Sequence, residues 1–302
     1  MIRIGVDFGG TKIEAAALGA DGAFLARVRK PNPGAYDLAL EAVRDLVAEA
    51  EREAGGGDAS IGIGMPGTLS PLTGMARNSN STWLNGKPFK EDLERLIGRP
   101  IRLQNDANCF ALSEAVDGVA AGAHVVFGAI LGTGCGGGIA VDGRAIEGQN
   151  GIAGEWGHNP LPWPTRDEHQ AHHCWCGRVD CLETWASGTA FVEDYQRATG
   201  RRLEGKAIVE AARAGEPEAV ANLDRFIDRV GRALASMCNL LDPNVIVLGG
   251  GMSNVDELYA RLPEVVKRYA FTDVFTTPIV KAKYGDSSGV RGAAWLWPLD
   301  AG

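Results

Sequence analysis

The chain has no excess of basic residues: 30 Lys and Arg stand against 38 Asp and Glu, a formal net charge of −8. That balance argues against a general nucleic-acid binder, which needs a basic footprint to release counterions. It leaves nucleotides open, because backbone N–H groups and Mg²⁺ can hold phosphate without a basic surface. No stretch is apolar for the roughly 20 residues that a membrane helix needs. The start, Met1-Ile2-Arg3-Ile4-Gly5-Val6-Asp7, lacks the basic region, apolar run and cleavage site of a secretory signal. A cytoplasmic protein without a membrane partner is expected. Its six cysteines should be reduced, so a cysteine cluster points to metal before disulfide. A Walker A sequence is missing, as is a GxGxxG at a strand-to-helix junction, which disfavours a P-loop enzyme and a Rossmann dehydrogenase.

What the chain has in abundance is glycine, 41 of 302 residues, against a usual share of about 7%. The glycines gather in short runs after apolar segments (Gly9-Gly10, Gly132 to Gly138, Gly249 to Gly251), where backbone must turn tightly or approach a partner closely. A length of 302 residues suits two packed lobes better than one core.

Residues 2–8, 12–18 and 23–29 read as strands joined by turns at Gly9-Gly10 and Asp21-Gly22. Residues 36–53 carry a helical stripe of Leu38, Ala39, Ala42, Val43, Leu46, Val47 and Ala50. Strands follow at 60–65 and 101–104, the latter leading into a helix near Ala107. The opening pattern then recurs: a strand at 124–131, the turn Gly132-Thr133-Gly134, a strand at 137–141 and the turn Asp142-Gly143. Two such passages predict an internal duplication, two related α/β lobes around a cleft. The expected lobes are residues 1–118 and 119–288, with a last helix over 289–302 packing back on the first. The second lobe is mainly helical, at 187–198, 206–214 and 217–241. A buried strand at 244–248 follows, then a helix at 255–269 that Pro263 should break.

Asp7-Phe8-Gly9-Gly10-Thr11-Lys12 ends a strand with a carboxylate, two glycines and a hydroxyl. Its N–H groups can face phosphate, and Asp7 can hold Mg²⁺ directly or through water. Gly132-Thr133-Gly134 repeats that chemistry, and Gly249-Gly250-Gly251 at a strand end would let adenine or ribose lie against backbone. Each turn taken singly also reads as an ordinary hairpin or strand-to-helix turn. In Gln104-Asn105-Asp106-Ala107-Asn108, Asp106 can take a proton from a substrate hydroxyl and Asn105 can orient hydroxyls, although Asn and Asp are equally favoured helix caps.

Cys174, Cys176 and Cys181 lie within eight residues, and with upstream His158 they make a Cys₃His set for structural Zn²⁺. His172 and His173 are rival ligands. Glu155 and Glu183 flank the cluster as acceptors for sugar hydroxyls, or as capping residues.

Together these motifs resemble the ROK family (repressors, open reading frames and sugar kinases) over essentially the whole chain. The carrying segments are Asp7 to Lys12, Asn105-Asp106-Ala107-Asn108, Gly132-Thr133-Gly134, Gly154-Glu155-Trp156-Gly157-His158 and the run from Cys174 to Glu183. The resemblance implies an actin-like, ribonuclease-H-like fold, ATP with Mg²⁺, structural Zn²⁺ and a homodimer. It implies Asp106 as catalytic base and Asn105, Glu155, His158 and Glu183 around the sugar, His158 offering its other ring nitrogen to zinc. Asp180 stands where the family commonly has glycine; Asp tolerates left-handed backbone. The segments around Asn80 to Gly86, Gly157 to Trp163 and Gly285 to Gly289 look most like bacterial fructokinases of the manno(fructo)kinase type. The expected reaction is phosphorylation of fructose to fructose 6-phosphate, with mannose as a second acceptor. N-acetylglucosamine kinase and glucokinase are the alternatives, and a non-catalytic sugar sensor is the competing class. The family's repressors add an N-terminal helix-turn-helix, for which the residues ahead of Asp7 leave no room.

Overall fold

The computed structural model describes residues 2–57, 59–169 and 172–297. In chain order the elements are β1 (Arg3–Phe8), β2 (Lys12–Leu18), β3 (Phe24–Pro31), α1 (Tyr36–Glu53), β4 (Ser60–Met65), β5 (Thr68–Leu69), β6 (Ala76–Arg77), α2 (Phe89–Ile97), β7 (Ile101–Asn105) and α3 (Asp106–Val116). Then come β8 (Val125–Leu131), β9 (Cys135–Val141), β10 (Arg144–Ala145), α4 (Glu183–Ala186), α5 (Gly188–Thr199), α6 (Gly205–Arg213) and α7 (Pro217–Leu241). The chain closes with β11 (Val245–Gly249), α8 (Asp256–Tyr269), β12 (Ile279–Lys281) and α9 (Ser288–Ala294). No helix among the described residues is long and apolar enough to cross a membrane.

Two five-stranded sheets share one plan. The first runs β3-β2-β1-β4-β7 and the second β10-β9-β8-β11-β12. In the first, β1 pairs antiparallel with β2 and parallel with β4, which pairs parallel with β7. In the second, β10 is antiparallel to β9, and β11 is parallel to both β8 and β12. The duplication seen in the glycine turns is thus a duplication of sheet order, the α/β arrangement of the actin-like fold.

Contacts divide the chain into two units. The first takes in the described residues within Met1–Ala123, Gly138–Gly154 and Lys283–Gly302, the second those of His124–Gly137 and Glu155–Ala282. This differs from boundaries at 118/119 and 288/289: residues 138–154 go with the first unit, and the chain re-enters it at Lys283. The reason is visible at α3, where buried Glu114 accepts the N–H of Lys283 at 3.1 Å and the hydroxyl of Ser288 at 2.8 Å.

The first unit is built on apolar strands. Ile4, Val6, Ile61 and Ile63 are fully buried. On α1 the buried face is Ala39, Leu40, Val43, Leu46, Val47 and Ala50. Leu38, placed in the stripe by spacing alone, is 55% exposed; Leu40, two residues on, is buried in its place. Helix α9 lies directly on β1 and β4, because Gly5 and Gly62 remove the side chains in its way. A Cβ there would fall 1.9 Å from the carbonyl oxygens of Val290 and Ala293. The expected helix over 289–302 ends by Ala294, and residues 298–302 lie outside the described residues.

In the second unit α7 is the long central helix, and α8 packs along it. Pro263 does not break α8, which is continuous from Asp256 to Tyr269. Leu258, Leu262 and Val266 are buried on one face, and that packing outweighs one missing N–H.

Candidate functional site

In the first unit the functional side chains stand at the carboxyl ends of parallel strands, where open α/β sheets place ligands. Asp7 pairs in register with Gly64 of β4, Gly64 with Gln104 of β7, and Met65 with Asn105. The end of β1 therefore lies two strand spacings, about 10 Å, from the end of β7. Cys109 is buried beside these ends; burial pushes its thiol up, and the charges of Asp106 and Asp7 push it further. The two carboxylates thus border one locality.

Asn105 is the N-cap of α3. Its Oδ1 accepts the N–H groups of Ala107 at 2.9 Å and Asn108 at 3.3 Å, and its Nδ2 donates to the carbonyl of Gly67 at 3.1 Å. Asn105 caps, and exposed Asp106 opens the helix, its Oδ1 also accepting the N–H of Ala107 at 2.8 Å. After these bonds Asn105 has one amide N–H left for a ligand, so it can donate but hardly accept. Gln104 supports the segment from behind. Its Oε1 accepts the N–H of Asn105 at 2.7 Å and the amide of Asn108 at 3.3 Å, and its Nε2 donates to Glu147 at 3.0 Å. Sequence reasoning passed over Gln104, since a lone glutamine in a strand carries no signal.

The turn Gly9-Gly10-Thr11 is held by Asn32. Its Nδ2 donates to the carbonyl of Gly9 at 2.7 Å, and its backbone N–H donates to that of Thr11 at 2.9 Å. Gly10 and Thr11 are exposed. Lys12 turns along β2, its ammonium 3.7 Å from buried Glu14, which Arg27 also pairs. Its charge serves that ion pair.

In the second unit the two remaining glycine turns meet. Gly249 is in register with Ile130, and the Cα of Gly250 lies 3.9 Å from where a Cβ on Gly132 would stand. Gly250 has φ 78° and ψ 176°, a region open in practice only to glycine. The turn carbonyl of Gly132 accepts the N–H of Gly188 at the start of α5, at 2.7 Å. Beside these turns opens a cavity of about 680 Å³ lined by Gly132, Thr133, Gly188, Thr189, Gly251, Met252 and Asn254, with α6 residues including Lys206 on its far wall. That volume lies in the range of small-molecule and cofactor sites. Gly188 and Thr189 were not foreseen, because Ser187-Gly188-Thr189 reads from sequence only as a helix start; Ser187 does cap α5, accepting the N–H of Ala190 at 3.0 Å.

The cysteine loop lies in the same unit. His158, Cys174, Cys176 and Cys181 bring one ligand atom each within 4.8 Å of one another. Cys174 Sγ is 3.7 Å from His158 Nδ1, and Cys176 Sγ is 3.6 Å from Cys181 Sγ. Neither rival histidine joins: the ring of His172 stacks on Trp185 at 4.3 Å, and His173 pairs by backbone with Val179. Asp180 adopts φ 55°, the left-handed turn expected of a residue standing where glycine is common. Burial and neighbouring thiols push Cys181 up to about 12. Burial raises Cys174 as well, whereas at Cys176 burial is outweighed by hydrogen bonds from the Arg178 backbone and the other thiols, which lower it; a divalent cation would favour the thiolate form of all three.

The other nitrogen of His158, Nε2, lies 4.0 Å from Glu155. Burial holds Glu155 above the usual carboxylate range; His158 works against this, and the charge of Glu183 adds to it. Glu155, His158 and Glu183 are therefore gathered beside the cysteine loop, three polar groups able to receive and donate hydroxyl hydrogen bonds.

Comparison with known proteins places this geometry. The model of the ROK family matches residues 3–299. The chain is 40% identical over 301 residues to the N-acetyl-D-glucosamine kinase of Pectobacterium atrosepticum, covering 98% of this chain and 99% of the relative. Its fold is similar to a ROK hexokinase from Thermus thermophilus, with a TM-score of 0.88, 34% identity and 99% of each chain covered. It is also similar to a ROK family glucokinase from Streptomyces griseus in complex with glucose and AMPPNP, with a TM-score of 0.77, 30% identity and coverage of 97% and 98%.

Proposed function

The chain belongs to the ROK family, and we propose that it is an ATP-dependent hexose kinase whose acceptor is N-acetyl-D-glucosamine. The observation that carries the acceptor is the 40% identity, over nearly the full length of both chains, to a kinase of that name. It favours the alternative over fructose. The segments that suggested fructose are three short loops, whereas the identity extends along the whole chain.

In this reading Asp106 takes the proton of the acceptor hydroxyl as its oxygen attacks the γ-phosphate of ATP. A general base contributes about 10²–10⁴ in rate, and positioning of the phosphates supplies much of the rest. Glu155, His158 and Glu183 receive sugar hydroxyls, and Asn105 donates its remaining amide N–H. The nucleotide occupies the 680 Å³ cavity, with Gly132 and Thr133 toward the phosphates and Gly251 against ribose or base; Gly134, Gly249 and Gly250, expected there as well, are not among its lining residues. In the first unit Gly9, Gly10 and Thr11 offer backbone and hydroxyl donors to phosphate, and Asp7 would hold Mg²⁺, which neutralises phosphate charge. His158, Cys174, Cys176 and Cys181 would hold Zn²⁺. Four protein ligands make that ion structural, stiffening the loop that carries the sugar acceptors.

A panel of N-acetyl-D-glucosamine, glucose, mannose and fructose, each with ATP and Mg²⁺ in a coupled assay, tests the reading. The highest kcat/KM is expected for N-acetyl-D-glucosamine. A higher value for fructose would overturn the acceptor, and no turnover of any hexose would overturn the kinase.

A further inference from the structure

Glu183 is held from two sides. Its Oε2 accepts the backbone N–H of Cys135 at 3.0 Å, and its Oε1 accepts the indole N–H of Trp175 at 2.7 Å. Cys135 directly follows the Gly132-Thr133-Gly134 turn, and Trp175 sits between two of the clustered thiols, Cys174 and Cys176. The Trp175 ring stands edge-on to His158 with centroids 5.2 Å apart, yet it is 59% exposed.

Core packing does not account for a tryptophan so placed. A buried indole stabilises through the area it removes from water, whereas this one keeps most of its surface wet and spends its only donor on a carboxylate. A carboxylate has about four lone-pair sites, so the two bonds leave acceptor capacity for ligand hydroxyls and also fix where that capacity points. We propose that Trp175 is a positioning residue for the acceptor sugar, its indole N–H holding the Glu183 carboxylate in the orientation that receives sugar hydroxyls. The cysteine loop is then part of the sugar subsite rather than a distant brace. This inference rests on the reading of Glu183 as a sugar acceptor.

Without the indole N–H, Glu183 keeps the bond from Cys135 on Oε2, while Oε1 is left with only the long 4.0 Å contact from Cys174 Sγ and turns about a terminal torsion that is intrinsically broad. The loss falls on sugar binding. A charge-assisted hydrogen bond of this kind corresponds to about tenfold in affinity. Trp175→Phe removes the donor and keeps a ring against His158, so it isolates the bond from the packing.

The experiment compares Trp175→Phe, Glu183→Gln and the double variant in the full chain, reading kcat, KM for N-acetyl-D-glucosamine, KM for ATP and bound metal per chain. Trp175→Phe should raise the sugar KM about tenfold with ATP KM and metal content unchanged. Glu183→Gln should raise the sugar KM at least as far, and the double variant should be no worse than Glu183→Gln alone. A normal sugar KM in Glu183→Gln would remove the sugar reading of Glu183, and this inference with it. A raised sugar KM in Glu183→Gln beside a normal one in Trp175→Phe would overturn the role of Trp175 alone. A Trp175→Phe variant that loses metal and weakens ATP as much as sugar would reveal a purely structural residue and overturn the inference.

Discussion

The two sheets have the same strand order and differ in what their strand ends carry. The first carries acids at the ends of its parallel strands: Asp7 stands next to the last residue of β1, and Asn105 leads β7 into Asp106. The second ends β8 and β11 on turns stripped of side chains, Gly132 and Gly249 to Gly251, with a cavity beside them. The crossovers differ as well. One helix, α1, fills residues 32–59 of the first, whereas residues 146–244 of the second hold the cysteine loop and α4 to α7. Duplication supplied two equivalent frames, and divergence put acids on one and open backbone with a long insertion on the other.

The sharpest test of this division is Asp106→Asn. Read as the base, it should lower kcat about 10²–10⁴-fold while circular dichroism and sugar KM stay near those of the parent. Near-normal kcat would take the chemistry away from the first sheet.

The insertion of the second unit is tied down by a buried ion cluster. Glu168 accepts from Arg229 and Arg232, each at 2.8 Å, and Arg229 also reaches Asp194 at 3.2 Å. Glu168→Ala would take one of two carboxylate partners from each buried guanidinium, Arg229 keeping Asp194 and Arg232 keeping Asp228, and should cost about 1–3 kcal/mol, read as a lower urea midpoint. Burial pushes the Glu168 carboxyl upward, but the hydrogen bonds from Arg232 and Arg229 bring it down to about 2. Its folded value lies below the ordinary one. The stabilisation is therefore full above the usual carboxylate range and lost as pH falls from there toward 2. The gap in urea midpoint between the parent and Glu168→Gln should accordingly be wide at neutral pH and narrow in acid.

The glycine turns of the two frames can be set against each other directly. A Cβ on Gly250 would stand 2.6 Å from the Leu131 carbonyl, in a conformation side chains avoid. Gly250→Ala should cost about 2–5 kcal/mol and raise the ATP KM. A Cβ on Gly10 would meet only Ser81 Oγ, at 3.5 Å. Gly10→Ala should leave the thermal midpoint within about 1 °C, a shift equivalent to ~0.6 kcal/mol in a chain of this size. Equal losses in both variants would erase the contrast.

Most of the framework was legible. The strand and helix spans around residues 2–65 and 217–241 follow from apolar periodicity and turn residues, both local signals. Helix α2 and the short strands β5, β6 and β12 went unread, although Phe89–Ile97 has its own left-handed Gly98 stop. The site residues were legible as types in motifs. Their partners were not. The cap at Asn105 was one of the two readings its motif offered, whereas that Lys12 turns to Glu14 and that Trp175 holds Glu183 depend on rotamers and on the path of the cysteine loop.

By itself the sequence determined the repeat of strand, glycine turn and strand, the cysteine spacing and the acid at the head of α3, because each is written within a few consecutive residues. Only the tertiary structure decided which histidine joins the thiols, that α9 lies on Gly5 and Gly62, and that two glycine turns far apart in the chain border one cavity. The last two come from packing between segments more than a hundred residues apart, and the choice of His158 from the path of the loop that returns Cys174 to it 16 residues on; no local pattern encodes either distance.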